Sequence, residues 1–172
     1  MKEVVRYGFI LSLICIIASA ALAGMNSLTK NRIMAQAKSE EENSLKELLP
    51  QAVGFEAVKS KEEIIYYRAF DKEGRPLGVA FKALGKGYSS SIETLVAMQE
   101  DGTFTAIKVI SQNETPGLGA RITQSSFTGQ FSGKKDFSGV EAITGATISS
   151  RAVMDSVGEK AEEIKSLIRD EK

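Results

Sequence analysis

The hydrophobic rhythm of the chain changes three times between its ends. Tyr7 to Met25 carries no charge, and only Ser12 and Ser19 are clearly polar. A run of that length spans the hydrocarbon core of a bilayer as one helix. Lys2 and Arg6 stand before it, Lys30 and Arg32 after it. From Met25 to Leu49 the chain is polar and helix-prone. Leu28, Ala35, Leu45, Leu48 and Leu49 form only a partial apolar stripe, and Glu40, Glu41 and Glu42 read as a solvated face. This predicts a stalk of one or two helices ending near Pro50. Beyond Gln51 the period shortens. Ile64–Phe70, Leu77–Ala83, Ile92–Met98 and Phe104–Ile110 read as strands, with a turn at Asp71–Gly74 and a hairpin connection at Glu100-Asp101-Gly102. Arg121 to Phe131 is short and mixed, helical in part. Val153, Val157, Ala161, Ile164 and Ile168 then recur at steps of three and four, one face of a long helix.

Two features qualify the first apolar run. Ala21-Leu22-Ala23 fits a small-residue cleavage site, so a signal peptide is the competing reading; the run is long for a signal h-region, and a retained anchor is the expectation. The flanking positive charges nearly balance and do not orient the helix. Cys15 follows the bulky Ile14, a poor context for lipidation, and reads as a buried apolar thiol.

Composition narrows the chemistry. Lys plus Arg is 22 and Asp plus Glu is 22, so no net charge draws the chain to nucleic acid or to an acidic substrate. There is no His, which rules out a Ser-His-Asp triad, a His-ligated haem and a His-containing metal site. One Cys permits neither an intrachain disulfide nor a cysteine-ligated iron–sulfur cluster. Redox chemistry on this chain therefore calls for an organic cofactor. Gly117-Leu118-Gly119 lacks the third glycine of a dinucleotide fingerprint. Gly85-Lys86-Gly87-Tyr88 and Gly133-Lys134 lack Walker spacing. Ser132-Gly133-Lys134-Lys135 matches S-x-x-K without the companion motifs of a Ser–Lys hydrolase.

The chemistry concentrates instead at Thr144-Gly145-Ala146-Thr147-Ile148-Ser149-Ser150, between the short apolar run Val140–Ile143 and the last helix. Gly145 permits a sharp turn. Hydroxyls crowd a first helical turn whose amides lack intrahelical partners. Helix capping is the ordinary meaning of such residues; a strand–turn–helix junction of this kind is also a natural anion site. A second segment, Glu114-Thr115-Pro116-Gly117-Leu118-Gly119, combines a proline-fixed turn with glycines that let backbone approach a flat ligand. An ordinary Pro–Gly turn is its commoner meaning.

Taken together and in this order, the two segments resemble the flavinylation motif and the ETPGLG loop of the FMN-binding domain family. The resemblance implies that Thr147 carries FMN through a phosphoester, attached by a separate flavin transferase. It also implies that Glu114, Thr115, Gly117, Leu118, Gly119, Gly145, Ala146, Ile148 and Ser149 line the cofactor site; Gly85-Lys86-Gly87-Tyr88 reads first as a turn between two strands and, by the resemblance, as a minor lining of the site second. Gln112 stands where members often carry His, and Glu141 where Asp is common. With its anchor, the chain is similar to the G subunits of Rnf-type ferredoxin:NAD oxidoreductases, which couple electron transfer to ion translocation. The C subunits of sodium-translocating NADH:quinone reductases are the second match. An anchored flavin-dependent reductase and a cofactor-free interaction module are the remaining alternatives.

What the resemblance implies is an electron relay in the cytoplasmic membrane, with a short cytoplasmic N-terminus, the flavin domain outside, and the other subunits of the complex as partners. The expected fold is α+β: one transmembrane helix, then a curved antiparallel sheet packed by helices. The expected divisions are 1–25 for N-terminus and anchor, 26–50 for the stalk, and 51–172 for the FMN-binding domain.

Overall fold

A computed structural model describes residues 2–60 and 63–170. The chain divides into two compact units, Met1–Glu42 and Asn43–Lys172. The first is formed by helix α1 (Lys2–Leu48), whose last turns continue into the second unit. Its apolar half is long and apolar enough to cross a membrane, and it leaves Phe9, Leu11, Ile16 and Leu22 on the helix surface. Hydroxyls along it are satisfied locally: Ser12 donates to the Gly8 carbonyl at 2.9 Å, and Thr29 donates to that of Met25. Cys15 lies on the surface of α1 rather than buried by protein, contrary to the sequence reading. One unbroken helix replaces the anchor and separate stalk, because neither proline nor a turn sequence interrupts residues 26–48.

The second unit is built on a five-stranded antiparallel sheet in the order β1-β2-β3-β4-β5. The strands are β1 (Gly54–Ser60), β2 (Glu63–Phe70), β3 (Pro76–Lys86), β4 (Ser91–Met98) and β5 (Phe104–Ser111). Alternation sends successive side chains to opposite faces. On one face Val79, Phe81, Ala83, Ile92, Val96, Met98 and Ile107 meet Val153, Val157, Ala161 and Ile164 of the C-terminal helix. Ile122, Phe127 and Phe131 complete this core from a 3-10 turn (Gly119–Thr123), helix α2 (Ser125–Thr128) and a second 3-10 turn (Gly129–Phe131). On the other face Leu45, Leu48, Leu49 and Ala52 cover Ala69, Ala80, Leu95 and Ala97. The three leucines fall at i, i+3 and i+4, so the end of α1 presents one apolar stripe to the sheet.

Three elements depart from the sequence reading. β1 is not anticipated there. It is an edge strand whose side chains are half-buried or exposed, and it pairs with β2 from Gly54↔Phe70 to Ser60↔Glu63 through a register shift. Val140–Ile143 is not a strand: Glu141 N–H donates to Gln130 Oε1 at 2.8 Å and Ile143 N–H to Ser150 Oγ at 3.0 Å, so side chains take the amides a ladder would need. β3 runs on to Lys86, which places Gly85 inside a strand, opposite Ile92. A Cβ at Gly85 would enter the Ala152 carbonyl oxygen and lie 2.9 Å from Ser156 Oγ. The glycine is what lets the helix α3 (Thr147–Asp170) rest directly on the strand.

Candidate functional site

The site is assembled from the loop between β3 and β4, the loop after β5 and the first turn of α3. The loop after β5 is shaped by Pro116 and by Gly117, whose φ of +75° suits the third position of a type II turn. Thr115 O closes that turn, accepting from Leu118 N–H and from Ala120 N–H, both at 3.2 Å. The turn thereby projects Leu118, which remains 48% exposed.

The entry to α3 is a second tight turn. Gly145 has φ +81°, and Ala146 N–H donates to the Ile143 carbonyl at 2.9 Å. A Cβ at Gly145 would sit 3.5 Å from Leu118 Cδ2, so the two loops touch at this glycine. The hydroxyls that follow have separate roles. Ser150, fully buried, accepts from Ile143 N–H and donates to the Ala146 carbonyl at 2.9 Å, which fixes the turn. Ser149, also buried, donates to Glu114 Oε2 at 2.6 Å. Thr147 is exposed, and its hydroxyl has no hydrogen-bond partner among the described residues. The amides of Thr147, Ile148 and Ser149 likewise have no backbone partner among them, as expected of a first helical turn.

Around these groups lies an open groove of about 540 Å³, lined by Tyr88, Glu114, Thr115, Leu118, Gly119, Gly145, Ala146, Thr147, Ile148 and Ser149. That volume falls in the range of about 300–1,000 Å³ typical of small-molecule and cofactor sites. Of the residues singled out by sequence, only Gly117 stands outside the lining; it acts through the turn it makes. Tyr88, 72% exposed, and Ile148, 56% exposed, give the groove an apolar rim together with Leu118.

Glu114 is the charged group of the site and is only 5% exposed. Oε1 accepts from Ser89 N–H at 2.9 Å and Ser90 N–H at 3.0 Å, and Oε2 from Tyr88 N–H at 3.1 Å and the Ser149 hydroxyl at 2.6 Å. Burial pushes its pKa up. The Ser149 hydroxyl and the amides of Ser89, Ser90 and Tyr88 outweigh that and leave it below the ordinary carboxylate value. Gln112, at the position where a His is common, accepts from Glu114 N–H at 2.6 Å and steadies the loop start. Sequence reasoning misses Ser90. Its Oγ accepts from Asn113 N–H at 2.8 Å, and no sequence signal links a serine of the β3–β4 turn to an asparagine of the loop after β5.

The competing motifs resolve structurally. Ser132 donates to the Thr105 carbonyl at 2.9 Å while Lys135 pairs with Asp101 at 2.8 Å, so the S-x-x-K residues face different partners.

Comparison with known proteins finds relatives over most of the chain. A family model described as the FMN-binding domain matches residues 87–162, and one described as the RnfG N-terminal region matches residues 1–48. The G subunit of the ion-translocating oxidoreductase complex of Methanosarcina acetivorans is 33% identical, over 91% of this chain and 92% of that protein. The G subunit of the proton-translocating ferredoxin:NAD(+) oxidoreductase complex of Clostridium ljungdahlii is 32% identical, over 90% and 88%. Its counterpart in the Na(+)-translocating ferredoxin:NAD(+) oxidoreductase complex of Acetobacterium woodii is 31% identical, over 91% and 89%. Among solved structures, Shewanella oneidensis NqrC shares the fold, with a TM-score of 0.50 and 24% identity over 63% of this chain and 64% of that one. The overlap is thus just under two thirds of that protein's length.

Proposed function

Since the chain belongs to the family of G subunits of ion-translocating oxidoreductase complexes, we propose that it is the single-pass electron-relay subunit of an Rnf-type complex and carries FMN as a phosphoester on Thr147. The observation that carries this reading is the meeting, at one groove, of the Thr147 turn and the Glu114–Gly119 loop, which lie far apart in sequence. The residues fit the group. Leu118, Ile148 and Tyr88 offer apolar surface to a flat ring, and Thr115, Gly119, Gly145 and Ala146 let it approach backbone. The unpartnered amides of Thr147, Ile148 and Ser149, at the positive end of the α3 dipole, suit a phosphate beside a free hydroxyl. Bound FMN supplies both one- and two-electron exchange, which a relay between unlike redox partners requires. Attachment keeps the cofactor from dissociating into solvent, and esterification lowers the phosphate charge from roughly −2 to about −1. The bond is made by a separate flavin transferase, and the relay exchanges electrons with other subunits rather than with a substrate of its own.

Co-expression with a flavin transferase, denaturation, in-gel fluorescence and peptide mass spectrometry test the assignment. FMN should map to Thr147 alone. Thr147→Ala should fold without covalent flavin, Thr147→Ser should keep part of it, and Thr144→Ala should keep all of it. An adduct persisting in folded Thr147→Ala, or mapping to Thr144 or Ser149, would show that another hydroxyl is used. The same reading puts the domain outside the cytoplasmic membrane. Protease added to intact spheroplasts should therefore digest it, and protection there with digestion in inverted vesicles would reverse the orientation.

A further inference from the structure

Glu114 belongs to the loop that the family resemblance lays against the flavin, where a carboxylate would hydrogen-bond the ring edge. The geometry assigns it a different task. An ionised carboxylate offers about four acceptor sites, and Glu114 already accepts from four groups of this chain at 2.6–3.1 Å: the amides of Tyr88, Ser89 and Ser90 and the hydroxyl of Ser149. No acceptor site remains for a ligand. The donors come from two segments, the turn between β3 and β4 and the first turn of α3, and Glu114 itself comes from a third.

Two glycines mark the same arrangement independently. A Cβ at Gly87 would lie 2.5 Å from Glu114 Oε1. A Cβ at Gly119 would lie 2.8 Å from both Glu114 Cβ and Ser149 Oγ. Neither glycine is at positive φ, so neither is required by backbone conformation; each is crowded by the Glu114 side chain, together with Ile92 Cδ1 at 2.7 Å for Gly87 and Ser149 Oγ for Gly119.

We propose that Glu114 is a positioning residue: its carboxylate ties the Gly87–Ser90 turn to the start of α3, and so holds Tyr88 and Thr147 at fixed places in the groove lining before any ligand arrives. The consequence for Thr147 rests on the flavin reading above; the tie itself does not. Ser149 carries the link to α3, two residues from the free hydroxyl of Thr147, while the three amides carry the link to the hairpin. Removing the carboxylate leaves part-buried N–H groups facing one another without an acceptor, a penalty that local opening relieves. Glu114→Gln keeps the size of the side chain but turns one acceptor oxygen into a donor towards groups that are themselves donors.

The test is amide hydrogen exchange on the full chain in detergent micelles, without flavin, for the parent, Glu114→Gln and Ser149→Ala. In Glu114→Gln the amides of 88–90 and the first hydrogen-bonded amides of α3, 150–152, should exchange faster by about tenfold or more, the scale on which an unmet donor acts, while β3 and β4 keep their protection. In Ser149→Ala the increase should be confined to 150–152. The initial rate of FMN attachment by purified transferase with FAD should fall by a similar factor in both. Unchanged exchange in Glu114→Gln would overturn the proposal. So would an increase as large in β3 and β4 as in the loops, which would make Glu114 a general stabiliser, and so would faster exchange with an undiminished attachment rate. Should Glu114→Gln fail to fold, Ser149→Ala decides by the same readings: loosening at 150–152 supports the tie, parental exchange refutes it. A parent chain that accepts no flavin at all would refute the proposed function, and the exchange measurements would still decide the tie.

Discussion

Three hydroxyls within four residues do three different things at the start of α3, because each step along a helix rotates the side chain by about 100°. Ser150 points back into the turn, Ser149 towards Glu114, and Thr147 into the open groove without a partner among the described residues. A count of Ser and Thr in the motif does not separate them; their direction from the helix axis does. Leu118 shows the same dependence on place. Sequence marks it as an apolar residue in a turn, and the structure leaves it half-exposed against Gly145, with only part of its surface packed on protein. Truncating a buried leucine costs about 2–5 kcal/mol. A side chain this exposed loses much less, so Leu118→Ala should melt within a few degrees of the parent. If it packs on the isoalloxazine ring, the variant should retain covalent FMN but shift its visible spectrum or midpoint potential. An unchanged spectrum and potential would place the ring elsewhere in the groove.

The elements most legible in the sequence are those with a strong period. β2 to β5 and α3 follow from their apolar runs and from the 3.6-residue stripe; β3 and β4 are buried on both faces, α3 along one. β1 is not legible: Gly54-Phe55-Glu56-Ala57-Val58-Lys59-Ser60 sits on the edge, buries little and shows no clean alternation. The groove is legible at its two motif segments and, through the resemblance, at the segment ending in Tyr88; what is not legible is the tie of the Gly87–Ser90 turn to Glu114, which depends on contacts more than twenty residues away in sequence. Nor does Gly85 declare itself. Read as part of a loop, it is instead the point where α3 lies on β3, and it positions Thr147 through the whole helix. Gly85→Ala would push its methyl into the Ala152 carbonyl, an overpacking that costs about 1–3 kcal/mol where backbone must move. The variant should melt several degrees lower and attach flavin more slowly, although residue 85 does not line the groove. Parental melting temperature and attachment rate would mean that α3 shifts freely on the sheet.

The sheet is covered on both faces, and the two covers come from opposite ends of the chain. α3 supplies one; the last turns of α1 supply the other through Leu45, Leu48 and Leu49. The compact unit accordingly begins at Asn43 rather than at residue 51, where the change of hydrophobic period would put it. Lys108 and Glu47 add an ion pair at the edge of this contact, but exposed pairs contribute only about 0–1 kcal/mol, so the leucines dominate. Burying a leucine is worth roughly 1.5–3 kcal/mol. Three of them together rival the whole stability of an ordinary domain, about 5–15 kcal/mol. Without them, Ala69, Ala80, Leu95 and Ala97 would meet water as one apolar patch on a sheet face, a surface prone to self-association. A chain beginning at Asn43 should therefore be soluble and monomeric and unfold in one cooperative transition. A chain beginning at Gln51 keeps every strand, α3 and the entire groove lining, yet should aggregate or melt far lower. Calorimetry and light scattering on the two chains make the comparison directly. Equal melting temperatures and equal monomer content would show that the end of α1 rests on the sheet without supporting it, and that the domain begins where the strands begin.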